Sequence, residues 1–365
     1  MKKILIAALL LGAPSAKGVE TKVGATALDF LQIGAGARAL GMGDAYTAVA
    51  DGPESVYWNP AGLARMSRIE AQYTRTELPA GVHHDFIAAA VPSPLLLGTI
   101  AVAVTRLSQD SLDLVDASNQ TLGAFRPTSE VFALAYAHQF SANDPGQESR
   151  EYFKETWNLP HVDHPDVGDD EPWTGEIAAG LSMKAVHESL GTREGTSFAV
   201  DGGGLFRPAA MHELILGGAM RNFGSRIRFI TDYETLPMEV AASVAYDARF
   251  EGWRLLPVFE VAAPYAGIPY AKLGVETAYD VSDGVQGAVR LGYSTRSAPT
   301  LGALAGLSAG VGVRAGRFSL DAAFQPMGYL GTNLRVGVGW KFGDKIGATK
   351  AKTPKKKASP SFRRR

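Results

Sequence analysis

Two short motifs in the sequence match spacings that are typical of catalytic or cofactor-binding sites. Gly306-Leu-Ser-Ala-Gly310 matches the G-x-S-x-G motif, in which a nucleophilic serine stands on a sharp turn between a strand and a helix. Here the motif lies inside continuous alternation of apolar and small residues, which favours a strand without that turn. Gly41-Met-Gly43 belongs to no G-x-G-x-x-G sequence, and no Walker loop occurs. We therefore predict a protein without catalytic residues or a cofactor, which is not an enzyme.

Two groups of histidines could in principle hold a divalent metal ion. The first is His83-His84-Asp85, and the second is His161 and His164 with Asp163 and Asp166. The second group is interrupted by prolines and lacks the i, i+4 spacing that places two ligands on one helical face. The chain contains no cysteine, which excludes disulfides, thiolate metal sites and cysteine nucleophiles. We predict solvated loops at both groups and no metal site.

Charged residues in the second half of the chain recur on one face of an alternating pattern. They are Asp247, Arg249, Glu260, Lys272, Glu276, Asp280, Arg290, Arg296, Arg314, Arg317, Asp321, Arg335 and Lys341. Both signs are interspersed on neighbouring segments, which predicts ion pairs between strands. We expect these pairs to fill the interior and to hold an internal segment there. The alternative is a polar path along which a solute passes that segment.

The elements that carry these charges alternate with a period of two residues. Leu273, Val275 and Tyr279 share one face of such a segment, whereas Lys272 and Glu276 lie on the other. The second face of these segments is mostly Gly, Ala and Ser with scattered charges, which is typical of a crowded polar interior. The pattern therefore predicts an all-β fold, a transmembrane antiparallel β-barrel whose apolar face contacts lipid.

We count fourteen predicted strands, an even number, as in single-chain bacterial barrels with both termini on one side. They span residues 69–76, 84–92, 97–106, 130–140, 175–187, 196–207, 212–222, 237–250, 254–263, 269–280, 284–296, 304–315, 317–326 and 332–343. If the first strand runs outward, the even-numbered connections are the short periplasmic turns. Odd-numbered connections such as residues 107–129 and 223–236 are then outward-facing loops. Leu112, Leu114 and Leu122 predict a hairpin within the first of these loops.

The N-terminus has the composition of an export signal. Lys2 and Lys3 precede an apolar stretch over residues 4–11 and a small-residue cleavage site, with cleavage after Ser15 or Gly18. No later run of 18 apolar residues occurs, which excludes a helical membrane protein. The balanced charge, 36 basic and 37 acidic residues, excludes a nucleic-acid partner. We expect a protein of the outer membrane of a diderm bacterium, in contact with outer-membrane lipid.

The expected organisation has four parts and one insert. A signal peptide covers residues 1–18, an N-terminal lumen plug 19–68, the barrel 69–343 and a basic tail 344–365. An acidic insert at 141–174 has nine acidic residues against two basic ones, and the tail has nine basic residues against one acid. Like-charge runs are usually solvated. We hypothesise that insert and tail attract each other or a shared periplasmic partner, such as the cell wall.

The segment before the first strand is rich in small residues and predicts short helices. Asp44 is placed to cap a helix through Ala50 that ends at Gly52. Ser55 is placed to cap a turn, and Asn59-Pro60 has the order of a cap followed by proline at the first helical position. Such a compact segment could fold inside a barrel whose interior is lined with Gly and Ala.

The same segment carries a family resemblance. Gly36-Ala-Arg-Ala-Leu-Gly-Met-Gly-Asp-Ala-Tyr-Thr-Ala-Val-Ala-Asp51 and Trp58-Asn-Pro-Ala-Gly-Leu-Ala64 resemble the PorV/PorQ family and, more distantly, the FadL family of fatty-acid transporters. The run from Gly316 to Gly331 and the ending Gly339-Trp-Lys-Phe342 are also similar to PorV-type chains. The residues that carry the motif in the plug are Gly36, Arg38, Gly41, Gly43, Asp44, Asp51, Trp58, Asn59, Pro60 and Ala61.

The resemblance implies a fourteen-stranded outer-membrane barrel with its N-terminal segment in the lumen. Some members of the PorV/PorQ family carry secreted, surface-attached proteins in the type IX secretion pathway. The acidic insert and the extension after Phe342 depart from the family pattern, and the extension puts the usual barrel-assembly signal near that aromatic residue in doubt.

Three functions follow as expectations. The first is a docking or transfer station for exported proteins or secretion-system components, which would bind at loops such as 107–129 and 223–236. The second is a FadL-like uptake channel for hydrophobic small molecules, which needs an apolar pocket in the lumen. The third is a structural barrel tethered to the cell wall through its basic tail. Because the inward positions are small or charged, the sequence favours the first.

Overall fold

The computed structural model describes residues 26–343 except 119, 141–174, 191–192, 210 and 229–232. Within these residues, fourteen antiparallel strands close into a barrel. The strands are β1 Ile69–Leu78, β2 Val82–Ser93, β3 Gly98–Gln109, β4 Thr128–Gln139, β5 Glu176–Leu190, β6 Arg193–Arg207, β7 Leu214–Gly224, β8 Glu239–Tyr246 continuing as Ala248–Phe250, β9 Trp253–Pro264, β10 Tyr270–Ser282, β11 Val285–Ser294, β12 Leu307–Ala315, β13 Phe318–Pro326 and β14 Thr332–Phe342. The signal peptide, the acidic insert and the basic tail lie outside the described residues.

Each strand pairs with its neighbours along the chain, and β14 pairs with β1, where Lys341 lies opposite Glu70. All fourteen predicted segments overlap one of these strands, so the predicted fold class is confirmed. Ser308 of the G-x-S-x-G motif lies within β12, as the alternation predicts, and its hydroxyl oxygen accepts a hydrogen bond from the backbone N–H of Gly43 at 3.0 Å. No helix in the described part of the chain is long and apolar enough to span a membrane.

The alternation of side chains produces one apolar outer face. On β10, Leu273, Val275 and Tyr279 are exposed on the outside, whereas Lys272 and Glu276 are buried inside. The exposed apolar side chains recur around the whole barrel. In water such a surface would be strongly unfavourable, because burying apolar area contributes about 25 cal/mol per Å². Lipid removes that penalty.

The connections differ at the two ends of the barrel. At one end, called the turn end, five connections are short: residues 94–97, 208–213, 251–252, 283–284 and 316–317, whereas the connection from β4 to β5 contains the acidic insert. At the opposite end, called the loop end, Leu112–Val115 and Thr121–Phe125 form the predicted hairpin. Residues 295–306 also form a loop there, with a short helix, Ala298–Leu301. The predicted rule fails at two connections, 79–81 between β1 and β2 and 191–192 between β5 and β6, which are short although they lie at the loop end.

Exposed aromatic side chains mark the turn end of the outer surface. Trp253 packs on Tyr279 with ring centroids 4.6 Å apart, and Phe318 packs on Trp340 at 4.9 Å. All four lie on strand ends next to the short turns. Aromatic girdles of this kind lie at the boundary between membrane and water, because their rings are apolar and their edges are polar. They therefore mark one edge of the apolar band.

Residues 26–68, called the plug below, lie inside the barrel and contact its walls on all sides. The plug contains two short α-helices, α1 Ala37–Gly41 and α2 Ser55–Trp58, and two 3-10 turns, Asp29–Gln32 and Pro60–Arg65. Asn59 caps the second turn as predicted, since its side-chain oxygen accepts a hydrogen bond from the N–H of Ala61 at 3.1 Å. Ser55 does not cap α2: it is the first helical residue, and no side chain caps that helix.

The helix predicted from Asp44 to Ala50 is wrong. Asp44 has a φ of 59° and lies in a turn, and the helix lies earlier, at α1. The backbone N–H groups of Tyr46 and Thr47 donate to the buried carboxylate of Glu260 on β9, at 3.0 and 2.9 Å. The barrel wall therefore supplies the acceptors that helical carbonyls would have supplied.

Wall glycines allow the plug backbone to contact the barrel directly. A Cβ atom on Gly292 of β11 would lie 1.9 Å from the backbone nitrogen of Gly43, and one on Gly203 of β6 would lie 2.0 Å from the side-chain oxygen of Asn59. Gly43 itself has a φ of 65°, which favours glycine. The small inward residues seen in the sequence are therefore contact positions for the plug.

Candidate functional site

Charged contacts hold the plug against one half of the barrel wall, and they converge on Glu276 of β10. Arg38 of α1 donates two hydrogen bonds to this carboxylate, at 2.6 Å from Nε and 2.9 Å from Nη2. Arg290 of β11 donates a third at 2.7 Å, and Arg254 of β9 a fourth at 3.3 Å. The bidentate contact fixes the orientation of α1 as well as its position. Arg38 also pairs with Asp51 of the plug at 2.6 Å.

A second set of polar contacts holds the middle of the plug. Lys272 of β10 donates to Glu260 at 2.8 Å, and Glu260 in turn accepts the two plug N–H groups described above. Arg221 of β7 donates to the backbone oxygen of Trp58 at 3.0 Å and pairs with Glu239 of β8. The guanidinium of Arg221 lies 5.4 Å from the centre of the Trp58 ring. The plug is thereby fixed through both backbone and side-chain atoms.

The structure brings together most of the predicted lumen charges. Arg290 also pairs with Asp321 of β13 at 2.7 Å, and Arg335 of β14 donates to the backbone oxygen of Gly36 at 3.1 Å. Arg335 lies 3.6 Å from Asp44. Arg314 of β12 makes no hydrogen bond or ion pair to another described residue, although it faces Asp51. Four of the predicted residues are exposed: Arg249 and Arg296, which line cavities of the lumen, and Asp280 and Arg317 at strand ends.

The motif residues of the plug contact the wall or one another. Trp58 donates from its indole nitrogen to the oxygen of Ala35 at 2.7 Å, and Asn59 donates to the oxygens of Thr47 and Gly204 at 2.8 and 3.2 Å. Gly41 packs on Gly310 of β12, and Pro60 and Ala61 pack on Gly180 of β5. These residues therefore shape and seat the plug.

A β-bulge in β7 places a polar cluster that the alternation did not predict. Opposite Asp201 of β6, both Arg221 and Asn222 point inward and are buried. Asn222 has a φ of 58°, and its N–H donates to Asp201 at 2.7 Å. Lys184 of β5 completes the cluster, with contacts of 2.5 Å to Asp201 and 2.9 Å to Asn222. The single sequence signal was an asparagine, which tolerates positive φ, near the end of a predicted strand.

On the side of β2 to β5, contacts between plug and wall are mostly apolar, apart from the ion pair of Arg65 with Glu176 of β5 at 3.0 Å. Val56, Leu63 and Met66 of the plug pack on alanines of β2, β3 and β4 and on Phe86. Closer to the loop end, an apolar pocket separates plug and wall, with a volume of about 20 Å³. Its lining residues are Phe30, Leu31, Ile33, Val56, Tyr57, His84, Phe86, Ala103, Thr105, Val131, Ala133 and Lys184. Much of this apolar lining comes from the plug and not from the inward positions of the strands.

His84 lies at the edge of this pocket and corrects the loop predicted for His83-His84-Asp85. The three residues are part of β2, and His84 is 1% exposed. Neither ring nitrogen of His84 has a hydrogen-bond partner. Among the described residues no cluster of three or more His, Cys, Asp or Glu side chains could hold a metal ion. His161 and His164 lie outside them.

A larger cavity of about 230 Å³ lies at the loop end of the plug. Leu31, Ile33 and Tyr57 line both this cavity and the apolar pocket, so these three side chains separate the two spaces. On the cavity side, Tyr270 and Trp58 lie next to the cations Arg221 and Lys272. The site is thus an aromatic and charged cavity that adjoins an apolar pocket.

Several buried polar atoms without hydrogen-bond partners lie in the linings of the two spaces or on the strands next to them. They include Asp44 Oδ1, Thr74 Oγ1, Thr76 Oγ1, both nitrogens of His84, Asn333 Oδ1 and Arg335 Nε. Thr76 lies opposite His84 on one side and opposite Arg335 on the other. Unsatisfied buried groups cost about 1–3 kcal/mol each, so water or the polar end of a ligand is their expected partner.

One buried carboxyl in the plug has an altered pKa. Burial raises the pKa of Glu54 to about 7, against hydrogen bonds from Tyr46 and Gln72 that lower it. The Tyr46 hydroxyl donates at 2.5 Å and the Gln72 amide at 2.8 Å. Glu54 therefore changes its charge near neutral pH, in contact with the residues that seat α1.

No family model matches the chain, and no curated protein matches its sequence. Among solved structures, the fold is similar to the toluene transporter TodX of Pseudomonas putida, with a TM-score of 0.53 and 11% identity over 86% of this chain and 98% of TodX. It is also similar to the toluene transporter TbuX of Ralstonia pickettii, with a TM-score of 0.51 and 10% identity over 85% of this chain and 99% of TbuX. A FadL homologue of Pseudomonas aeruginosa gives a TM-score of 0.47 at 11% identity, over 84% of this chain and 98% of that protein.

TodX and TbuX are FadL-family outer-membrane β-barrels, and at these identities the likeness establishes the fold. Together with the closed barrel, it supports the predicted location in the bacterial outer membrane. The likeness is therefore one of fold and does not assign the chain to the FadL family. The comparisons do not bear on the PorV/PorQ resemblance, which stays a prediction. Both relatives are transporters.

Proposed function

We propose that the protein is an outer-membrane channel that admits small hydrophobic molecules along the apolar side of the plug. The observation that carries the proposal is the apolar pocket between the plug and β2 to β5, next to the loop-end cavity. Displacement of Leu31, Ile33 and Tyr57 would join the two spaces into one path. The similar fold of two toluene transporters supports the same class of substrate.

The two sides of the plug are held with different strength, which suits such a path. The pocket of about 20 Å³ holds about one water molecule, so a ligand needs movement of the surrounding chain. Residues 27–33 are held by apolar contacts to β4, β5 and β6, by a backbone hydrogen bond of 3.1 Å from Ala27 to Thr235 and by hydrogen bonds from Arg296 to Gln32. Arg38 and Tyr46, in contrast, are fixed by buried charged groups. The first part therefore moves more easily than the second.

Filling the pocket tests the proposal. Ala103 points into the pocket, whereas its neighbour Val102 on β3 faces lipid. We expect Ala103→Trp to lower toluene uptake into proteoliposomes at least about tenfold, since a new ring occupies the path. Val102→Trp is the matched control and should leave uptake unchanged. Equal uptake by the wild type and Ala103→Trp would remove the pocket from the transport path.

A reversible crosslink tests movement of the N-terminal part of the plug. Thr26 and Thr235 are bridge partners, and the chain has no native cysteine. A disulfide in the double variant Thr26→Cys, Thr235→Cys should block uptake, and a reductant should restore it. Each single cysteine variant serves as control. Uptake that is insensitive to oxidation, with the disulfide shown to have formed, contradicts this step.

A docking or transfer role of PorV type is the second candidate. The loop-end hairpin exposes Leu114 and Leu122, which is the observation that favours it. Such apolar loop residues are suited to contact another protein. Shortening the hairpin between Leu112 and Phe125 should abolish capture of exported or secretion-system proteins and leave toluene uptake intact. If the shortened variant still captures these proteins, the docking role is contradicted and the channel remains as the function.

A further inference from the structure

A separate cavity opens at the turn end of the barrel, on the opposite side of the plug from the loop-end cavity. It has a volume of about 510 Å³ and is called the turn-end vestibule. Its walls are plug residues 49–54 and 65–68 and the inner faces of β1, β8, β9 and β12 to β14, with Arg207 of β6. Eight arginine or lysine and five aspartate or glutamate side chains line it, so the lining is strongly polar with an excess of positive charge.

The N–H donors of the arginines in the turn-end vestibule outnumber the carboxylate oxygens that accept from them. Glu176 of β5 is shared by Arg65 of the plug at 3.0 Å and Arg207 at 3.7 Å. Asp247 of β8 is likewise shared by two arginines of β8 and β9, at 3.2 and 2.6 Å. Since each carboxylate serves two guanidinium groups, some donor positions stay without an acceptor.

Specific donor atoms remain unpaired although they are removed from solvent. They are Arg65 Nη2 and Arg68 Nε, and Arg207 Nε has no hydrogen bond beside its ion pair with Glu176 at 3.7 Å. Arg68 makes no hydrogen bond or ion pair to another described residue, and the same holds for Arg314 on the far wall. A charged donor without an acceptor is unfavourable, and oxyanions are the acceptors that fit the planar guanidinium group best.

We infer that the turn-end vestibule binds a small anion with two or more phosphate or carboxylate groups. A multivalent oxyanion can contact Arg68 and Arg314 together and can also accept from the spare donors of Arg65 and Arg207. The cavity size of about 510 Å³ admits a molecule of the size of pyrophosphate or citrate with its water. This site is independent of the hydrophobic path, which lies on the other face of the plug.

Calorimetric titration of the full-length protein in non-ionic detergent tests the inference, with pyrophosphate and citrate as probes. The wild type should bind one anion per barrel. The double variant Arg68→Gln, Arg314→Gln should bind at least about tenfold more weakly, since two charge-assisted contacts are lost. The charge-matched control is Arg106→Gln, Arg226→Gln, whose arginines lie exposed at the loop end. It should bind as the wild type does. Slower migration after boiling, typical of folded barrels, confirms that each variant is folded.

Three results would overturn the inference. Wild-type protein could fail to bind either probe at millimolar concentration, or both double variants could lose binding equally. Binding could also appear only after the carboxylates of residues 141–174 are neutralised, which would assign the arginines to the acidic stretch of the chain itself. Stronger binding of pyrophosphate would indicate an anion with phosphate groups, and stronger binding of citrate one with carboxylate groups. Toluene uptake by the vestibule variant should be unchanged, which separates this test from that of the channel.

Discussion

At the scale of single residues, Glu276 has the largest role in seating the plug. Four hydrogen bonds from three arginines reach its carboxylate, and these arginines come from the plug and from two strands. The carboxylate is buried, so water cannot replace it. Loss of its charge therefore leaves three arginines with one carboxylate partner each: Asp51 for Arg38, Asp321 for Arg290 and Asp247 for Arg254.

We expect Glu276→Gln to destabilise the seated plug by about 3–5 kcal/mol, the usual range for removal of one partner of a buried ion pair. Limited proteolysis of folded barrels should show faster cleavage within residues 26–68. Glu130→Gln is the control, because Glu130 forms a half-exposed pair with Arg106 at 3.5 Å and should change stability by less than about 1 kcal/mol. Equal protection in both variants would show that the Glu276 contacts do not seat the plug.

Glu54 makes seating of the plug dependent on pH. Burial raises the pKa of its carboxyl from 4.5 to about 7, so the seated plug favours the protonated form. The stabilising contribution is complete below pH 4.5 and is lost as the pH rises to about 7. Tyr46 and Gln72 donate hydrogen bonds to Glu54, and Arg38 and Asp51 are the charged groups that affect its pKa.

We therefore expect the temperature at which the plug is released to fall between pH 4.5 and 7 and to level off above pH 7. Glu54→Gln, which cannot ionise, should remove most of this dependence of the release temperature on pH. The release temperature can be followed by Trp58 fluorescence, since Trp58 is buried in the seated plug. If the variant keeps the slope of the wild type, other groups cause it.

At the scale of elements, the barrel wall and the plug are matched through glycine. β11 contains two glycines with different surroundings. Gly292 contacts the backbone of the plug, whereas a Cβ atom on Gly287 would meet only a side-chain carbon of Val281 at 4.0 Å. The same strand therefore offers a test position and a control position.

Gly292→Ala should displace the plug, because the new Cβ atom would lie 1.9 Å from the nitrogen of Gly43 and backbone cannot yield as a side chain can. Overpacking of this kind typically costs about 1–3 kcal/mol. Gly287→Ala should be neutral. Hydrogen exchange of plug amides is the measurement, and equal protection of the two variants contradicts direct packing at Gly292.

At the scale of the whole molecule, the plug divides the lumen into separate spaces. The loop-end cavity and the turn-end vestibule lie on opposite faces of it, with the charged contacts to β8–β14 between them. On the apolar side, the ion pair between plug and wall among the described residues is that of Arg65 with Glu176 of β5, and Lys184 pairs with Asp201 within the wall. This asymmetry places the expected hydrophobic path on one side of the barrel.

We expect wild-type protein in planar bilayers to show no steady ion conductance, whereas a variant that lacks residues 26–66 should conduct. The physical reason is that the plug fills the space between the walls, and removal leaves a polar lumen. Heat-dependent migration of the deletion variant controls for barrel assembly. Steady conductance of the wild type would show an open aqueous pore and contradict the plugged arrangement.

The sequence by itself determined the barrel. Alternation along a strand is a local property, because successive side chains point to opposite faces whatever the strand pairs with. Fourteen strands, the membrane-facing surface and the loop-end hairpin were predicted from it, as was the cap at Asn59. The inward register of Glu276 and Arg290 followed from the same rule.

Only the tertiary structure decided how plug and wall meet. Arg38 and Glu276 are 238 positions apart in the chain, so no local pattern pairs them. The turn at Asp44 replaces a predicted helix because Glu260 supplies distant acceptors, and the bulge at Asn222 depends on Asp201 of the neighbouring strand. The apolar pocket, too, is formed by side chains of the plug and of β2 to β5 together. These features depend on contacts between parts of the chain that closure of the barrel brings together.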